Sequence, residues 1–138
     1  MKLEFLLLSD AAVIASDGVF STLNCGLDCF HRASFPATKP MLVVIARIMF
    51  FPEEMGVNQE LRLEIIGPAG EVLAPVIPVS IVPIRNKRHP ERPNHMTLSL
   101  AIFSVTFQTP GYHSFRLCHA EEVLGEHPFD VYITEAKP

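Results

Sequence analysis

Residues 96–107 read MTLSLAIFSVTF, and this stretch decides the fold class. Its even positions from Met96 to Ile102 are apolar, and from Phe103 onward the apolar positions are odd. Alternation with a period of two predicts a β-strand with one face toward a core. A strand cannot exchange its faces in a regular ladder, so the change at Phe103 predicts a bulge or a passage from one sheet to another.

Other strand patterns lie upstream of this stretch. Leu61–Ile66 alternates apolar and charged residues, which predicts a strand with one solvent face. Met41–Phe51 is apolar on both parities, which predicts a central strand covered on both faces. Leu3–Ser9 predicts a first strand rather than a signal peptide, because Glu4 interrupts the apolar run that a signal peptide requires.

Turn residues and prolines separate these strands. The pair Asp17-Gly18 predicts a tight hairpin over residues 11–24. Proline lacks an N–H donor, so the three prolines of residues 72–84 predict an edge strand or an irregular ribbon.

A second hairpin is predicted in the C-terminal third, with its turn at Ala120-Glu121. One face of its two strands is apolar, so we expect five side chains to be buried: Phe115, Leu117, Phe129, Val131 and Ile133. The parity slips within the second strand, and Gly125 and Pro128 are the positions where we expect the irregularity.

These patterns predict one all-β domain over residues 1–138, a single antiparallel β-sandwich that is immunoglobulin-like in broad architecture. The chain is 49% hydrophobic and 19% charged, a composition that excludes intrinsic disorder. Its longest apolar runs are far shorter than the roughly 20 residues of a membrane-spanning helix, so we expect no membrane partner.

The order of the turns and strands resembles a known family. The chain has an apolar strand ending at Asp10, then Asp17-Gly18, Phe35-Pro36-Ala37, Pro110-Gly111-Tyr112 and Pro128-Phe129. In this order they resemble an uncharacterised, mostly bacterial domain-of-unknown-function family of small β-sandwich proteins. The resemblance implies a compact β-sandwich and carries no catalytic residue. The last hairpin departs from the family, since His119-Ala120-Glu121-Glu122 stands where a glycine-containing turn is more typical.

The basic charge is concentrated in one segment. Residues 85–95 carry a net charge of +3, whereas the whole chain carries −4, so the other residues carry −7. The segment has no Phe, Tyr or Trp for stacking on bases, so we expect no nucleic-acid partner. It is either a solvated loop or a docking loop for an acidic protein, including a second copy of this chain. With the adjacent apolar ribbon it supplies the candidate partner-contact residues: Arg85, Lys87, Arg88, Arg92, Val76, Ile77 and Val79.

Cysteines and histidines do not occur at the spacings of a metal site. The chain has three cysteines, an odd number that favours a reducing cytoplasm over a disulfide framework. Cys25, Cys29 and His31 alternate, but no second cysteine pair completes a zinc site, so we expect the thiols to pack as small apolar groups. His113 and His119 are too far apart along one strand to share an ion, and we expect them at the solvent ends of the apolar stripe.

Arg47 is the one charge in the apolar strand 41–51. A buried guanidinium needs a carboxylate or carbonyl partner, or else an open face. We therefore expect an ion pair with Glu64 or Asp28 of a neighbouring strand, or alternatively an anion-binding cleft. The chain has no GxSxG, GxGxxG or P-loop motif.

The sequence therefore predicts no catalytic, metal or cofactor residues and favours a non-catalytic interaction module that self-associates. One alternative is an enzyme whose cleft is built from Arg47, histidines and acidic residues of separate strands. Another is a structural subunit of a larger assembly.

Overall fold

The computed structural model describes residues 1–134, apart from the side chain of Ala74. It is all-β, as predicted, with 65% of residues in strands. The ten strands are β1 (Lys2–Ser9), β2 (Ala11–Ile14), β3 (Phe20–Leu23), β4 (Cys29–Arg32), β5 (Ala37–Phe50), β6 (Gln59–Ile66), β7 (Val72–Ile81), β8 (Asn94–Phe107), β9 (Gly111–His119) and β10 (Glu122–Ile133). One 3-10 turn spans Pro52–Glu54. Within the described residues, no helix has the length and apolarity needed to cross a membrane.

The strands form three sheets. One has the order β1-β5-β8, the second β4-β10-β9-β6-β7, and the third is the hairpin β2-β3. All neighbours are antiparallel except β4 and β10, which are parallel. The prediction of a purely antiparallel arrangement is therefore wrong for this pair. A parallel pair needs a long connection between its strands, and the many residues between β4 and β10 provide one.

The two larger sheets share one hydrophobic core. Its largest fully buried side chains include Phe50 from the three-stranded sheet and Phe115 and Phe129 from the five-stranded sheet. The rings of Phe115 and Phe129 stack with their centroids 5.2 Å apart. This contact buries the apolar stripe of the C-terminal hairpin, as its alternation predicts.

β8 changes its buried parity as predicted, but without a bulge. Ile102 and Val105 are buried, while Phe103 is 69% exposed. The buried positions therefore change from even to odd after Phe103, and not at Phe103 as predicted. Ser104 has a φ of 57°, and it lies opposite Pro40 in a ladder that has no register shift. Proline offers no N–H to this ladder, so both strands can turn at the same level without an inserted residue.

β5 is the central strand, covered on both faces as predicted. Leu42 and Val44 point into the shared core, while Val43 and Ile45 are buried on the opposite face. On that outer face β2 contacts both β5 and β8. The hairpin β2-β3, whose position in the sequence is confirmed, therefore acts as a lid over the outer face of the three-stranded sheet.

The C-terminal hairpin turns at Ala120 and Glu121, as predicted, and its register shifts between Val123 and Gly125. The prediction of burial holds for four of the five side chains. Ile133 is the exception, since it is 52% exposed. The pairing of β10 with β9 ends at Val131, so Ile133 extends past the covered part of the sheet.

β7 is an edge strand, as its prolines predict. Its pairing with β6 is irregular between Leu63 and Ile65, where β7 bulges around Pro75. Val79 and Ile81 return to the core beyond this bulge.

Candidate functional site

The predicted partners of Arg47 are wrong. Its Nε lies 2.8 Å from Oε2 of Glu4 on β1, and Glu64 is instead paired with Arg62 on its own strand. β1 is irregular between Leu3 and Phe5, which displaces Glu4 from the regular alternation. An ion pair with an acid of a neighbouring strand is therefore correct, but the acid is Glu4, and the Arg47 side chain is 39% exposed rather than buried.

His95 joins the same carboxylate. Its Nδ1 lies 2.9 Å from Oε1 of Glu4, so the carboxylate bridges His95 and Arg47. Each residue comes from a different strand of the three-stranded sheet, and the side chains of all three are 30–39% exposed. Nε of Arg47 makes no hydrogen bond of good geometry to any described residue, so its contact with Glu4 is chiefly electrostatic.

A shallow groove of about 380 Å³ lies beside this cluster. It is lined by Ile14, Ala15, Ser16, Asp17, Gly18, Asn94, His95, Met96 and Thr97. The hydroxyl-bearing side chains that line it are Ser16 and Thr97. A carboxylate that holds one ring nitrogen of a histidine fixes the orientation of the ring, which suits His95 to proton transfer or to binding a polar ligand.

Sequence reasoning found Arg47 but missed Glu4 and His95. Glu4 is a lone acid in the apolar run of β1, just as Arg47 is a lone base in β5. Two isolated opposite charges on strands that pair were the available signal.

The other histidines do not converge. His113 is buried, and its ring stacks on Phe129 with centroids 5.6 Å apart, so its expected place at a solvent end is wrong. Nδ1 of His113 lies 2.9 Å from the carbonyl oxygen of Gly111, and Nε2 of His127 lies 2.9 Å from that of Leu27. Across residues 1–134, no three His, Cys, Asp or Glu side chains are grouped so as to hold a metal ion.

Two of the three thiols are on the surface. Cys25 and Cys29 are exposed, which corrects the expectation that they pack in the core, whereas Cys118 is buried. Burial and the nearby Glu64 raise the pKa of Cys118, and desolvation and Asp28 raise the pKa of Cys29. A raised pKa leaves less thiolate at neutral pH, which disfavours both as nucleophiles.

The predicted partner-contact residues divide into two groups. Val76 is 46% exposed, Ile77 is partly buried against the core, and Val79 is only 9% exposed. Val79 is therefore removed from the proposed contact, because its side chain faces the core. The other group is fully accessible, since Arg85, Lys87, Arg88 and Arg92 are all exposed.

The basic loop 85–95 is held by its own polar side chains. Oδ1 of Asn86 accepts hydrogen bonds from the backbone N–H groups of Arg88 and His89, at 2.9 and 3.2 Å. The guanidinium of Arg85 donates to the carbonyl oxygens of Pro52 and Pro90, at 3.4 and 3.3 Å. These hydrogen bonds hold the backbone of the loop in one conformation, from which its basic side chains extend into solvent.

These features define an all-β protein of three sheets with a polar cluster of Glu4, Arg47 and His95 on the three-stranded sheet. Residues 4–132 match the sequence profile of a family of unknown function, DUF6941, and the chain belongs to this family. No curated protein and no solved structure matches the chain.

Proposed function

We propose that the protein is a non-catalytic interaction module that self-associates, with residues 72–84 and the basic loop as parts of the contact. The observation that carries this proposal is the exposure of apolar side chains on the edge strand β7 and on the segment that follows it. Val72, Val76, Val82 and Ile84 are 51%, 46%, 52% and 68% exposed. A run of exposed apolar side chains is typical of a surface that a partner covers.

Charge supports a second copy as the partner. The basic loop continues directly from the apolar ribbon, and the residues outside this loop carry a net charge of −7. A second copy therefore offers an acidic surface, and a two-fold dimer is the commonest closed assembly. An unrelated acidic protein would use the same loop.

The architecture belongs to this proposal as well. We infer a single domain with an immunoglobulin-like sandwich, supported by one core cluster with side chains from both larger sheets. In aligned sandwiches the mean strand directions of the two sheets differ by about 30°. A crystal structure with the sheets crossing near 90° would replace this proposal with an orthogonal packing.

Light scattering at micromolar concentration tests the proposed association. We expect a mass near twice 15.4 kDa for the native chain and a monomer for Val76→Asp. Val76 is preferred to Ile77 because Ile77 packs against the core, where a charge would also disturb folding. Val13→Asp is the matched control, since Val13 is 72% exposed on the β2-β3 hairpin.

A native monomer, or a dimer that Val76→Asp leaves intact, contradicts this proposal. A larger defined oligomer would favour the alternative of a structural subunit.

A second candidate function is supported by the Glu4–Arg47–His95 cluster, which joins the residue types of an enzymatic or anion-binding site beside a groove. Titration with inorganic phosphate, followed by the NMR signals of the His95 ring, tests this candidate. Saturable shifts that Arg47→Gln abolishes would support it, and unchanged signals at millimolar phosphate would count against it.

A further inference from the structure

β8 is a long and unprotected edge strand. It spans 14 residues, and β5 is the one strand with which it pairs in the described part of the chain. Asn94–Phe107 contains no Asp, Glu, Lys, Arg, Pro or Gly. Alternate residues of an edge strand direct their N–H and C=O groups away from the sheet, where another strand can pair with them.

The other edges carry the features that normally prevent such pairing. β7 has prolines and a bulge, β1 has Lys2, Glu4 and an irregular register, and β4 has only four residues. Charges, prolines, bulges and short length are the usual protections of edge strands. β8 has none of them from Met96 to Phe103, and its one left-handed residue, Ser104, lies beyond this part.

The outer face of β8 is also open over its central part, beyond the end that the β2-β3 hairpin contacts. Ser99 and Ala101 are exposed, and Phe103 on the same face is 69% exposed. In a monomer the ring of Phe103, beside two small side chains, buries little apolar area and leaves most of its surface in water.

We propose that β8 pairs antiparallel with β8 of a second copy about a two-fold axis at Ala101, joining two three-stranded sheets into one of six strands. This pairing places Phe103 of each copy opposite Ser99 of the other, so each large side chain meets a small one. Because the strand is uncharged, two identical copies meet without like-charge repulsion across the axis.

This inference rests on the proposed self-association and adds its main-chain contact. The apolar ribbon and β8 are neighbours at one corner, where Nδ2 of Asn94 donates to the carbonyl oxygen of Ile84 at 2.7 Å. A β8 pairing therefore brings the exposed end of the ribbon close to the second copy. The contribution of the ribbon comes from side chains, because its prolines interrupt a regular ladder.

A charge-swap pair tests the pairing. In Ala101→Lys or Ala101→Glu alone, identical charges face each other across the axis, and we expect the dimer dissociation constant to rise about tenfold or more. Mixing the two variants places Lys opposite Glu, and we expect the dimer mass to return. Light scattering reports the mass, and far-UV circular dichroism verifies that each variant is folded. Val13→Lys and Val13→Glu are the controls, and both should leave the mass unchanged.

The outcomes separate this inference from the proposed function. A dimer that Val76→Asp weakens and both Ala101 variants leave intact would retain the proposed function and overturn the β8 pairing. Loss of the dimer in both Ala101 variants without recovery on mixing would also overturn the pairing about Ala101. A native monomer would overturn both proposals.

Discussion

The two hairpins of the molecule have similar alternation but very different surroundings. In β9-β10, Phe115 and Phe129 are almost completely buried in the core. In β2-β3, Val13 and Leu23 are 72% and 60% exposed, because this hairpin lies outside the three-stranded sheet and only its inner face is covered. Alternation thus identifies which side chains share a face but does not tell how deeply that face is buried.

The turns of the two hairpins differ in the opposite sense. The outer hairpin has Gly18 at a φ of 85°, whereas the core hairpin has Ala120 at a φ of 51°. An L-residue with a side chain is strained in this left-handed region. The hairpin with the better-packed strands therefore has the more strained turn, and the guanidinium of Arg62 donates a hydrogen bond to the carbonyl oxygen of Ala120 there.

The largest expected effect lies in the core hairpin. Phe115→Ala should lower the free energy of unfolding by about 3–5 kcal/mol, because it removes a fully buried ring that stacks on Phe129. Urea denaturation measures the change. Tyr112→Ala is the control on the same strand, since Tyr112 is 74% exposed and its loss should cost less than about 1 kcal/mol. Similar costs for the two variants would contradict the difference in burial.

A smaller effect is expected for the equivalent change in the outer hairpin. Phe20 is partly buried and meets the ring of Phe5 at 5.8 Å, so Phe20→Ala should cost about 1–2 kcal/mol in the same assay. Val13→Ser, on the exposed face of the hairpin, should change stability by no more than about 0.5 kcal/mol. If Phe20→Ala cost as much as Phe115→Ala, the outer hairpin would belong to the main core.

The two turns allow a reciprocal exchange. Gly18→Ala should destabilise by about 1 kcal/mol, because no atom crowds the added methyl group and only the backbone conformation is penalised. Ala120→Gly should stabilise by up to about 1 kcal/mol for the same reason. Thermal unfolding of both variants measures the two shifts, and shifts of the same sign would disprove the strain argument.

The smallest effect is a pH dependence confined to the outer hairpin. Hydrogen bonds from Asn24 and then Lys39 lower the pKa of Asp10, so its carboxylate ties the hairpin to β5. A lowered pKa in the folded state stabilises the fold above the pKa of the unfolded state, near pH 4, and this contribution is lost as the pH falls through the lower folded value. Hydrogen exchange should show β2-β3 amides losing protection below pH 4 before β9-β10 amides. In Asp10→Asn this difference between the hairpins should no longer depend on pH.

Elements that follow from local pattern could be predicted from the sequence. The turn at Asp17-Gly18, the central position of β5 and the edge position of β7 all follow from turn chemistry, periodicity and proline content. The unbulged switch at Ser104 could not be predicted, because it depends on Pro40 lying opposite Ser104, which is a fact of register. The parallel pairing of β4 with β10 could not be predicted either, because it depends on tertiary contacts between segments that are distant in the sequence.

The candidate site shows the same division. Arg47 is identified by its isolation in an apolar strand, since a charge among apolar residues requires a partner or an open face. The identity of the partner depends on which strand lies next to β5 and on the irregularity that turns Glu4 toward it. His95 joins them only because β8 pairs with the other side of β5.

The parallel pairing of β4 with β10 has a consequence for synthesis on the ribosome. Residues 29–32 are made well before their partners, residues 130–133, which form the last strand among the described residues. Until then β4 has no neighbour, and Phe30 lacks the ring of Phe129 that it meets at 5.6 Å in the finished fold. The nascent chain must therefore carry an incomplete core while residues 33–129 are made, an interval in which a chaperone that shields apolar segments can bind.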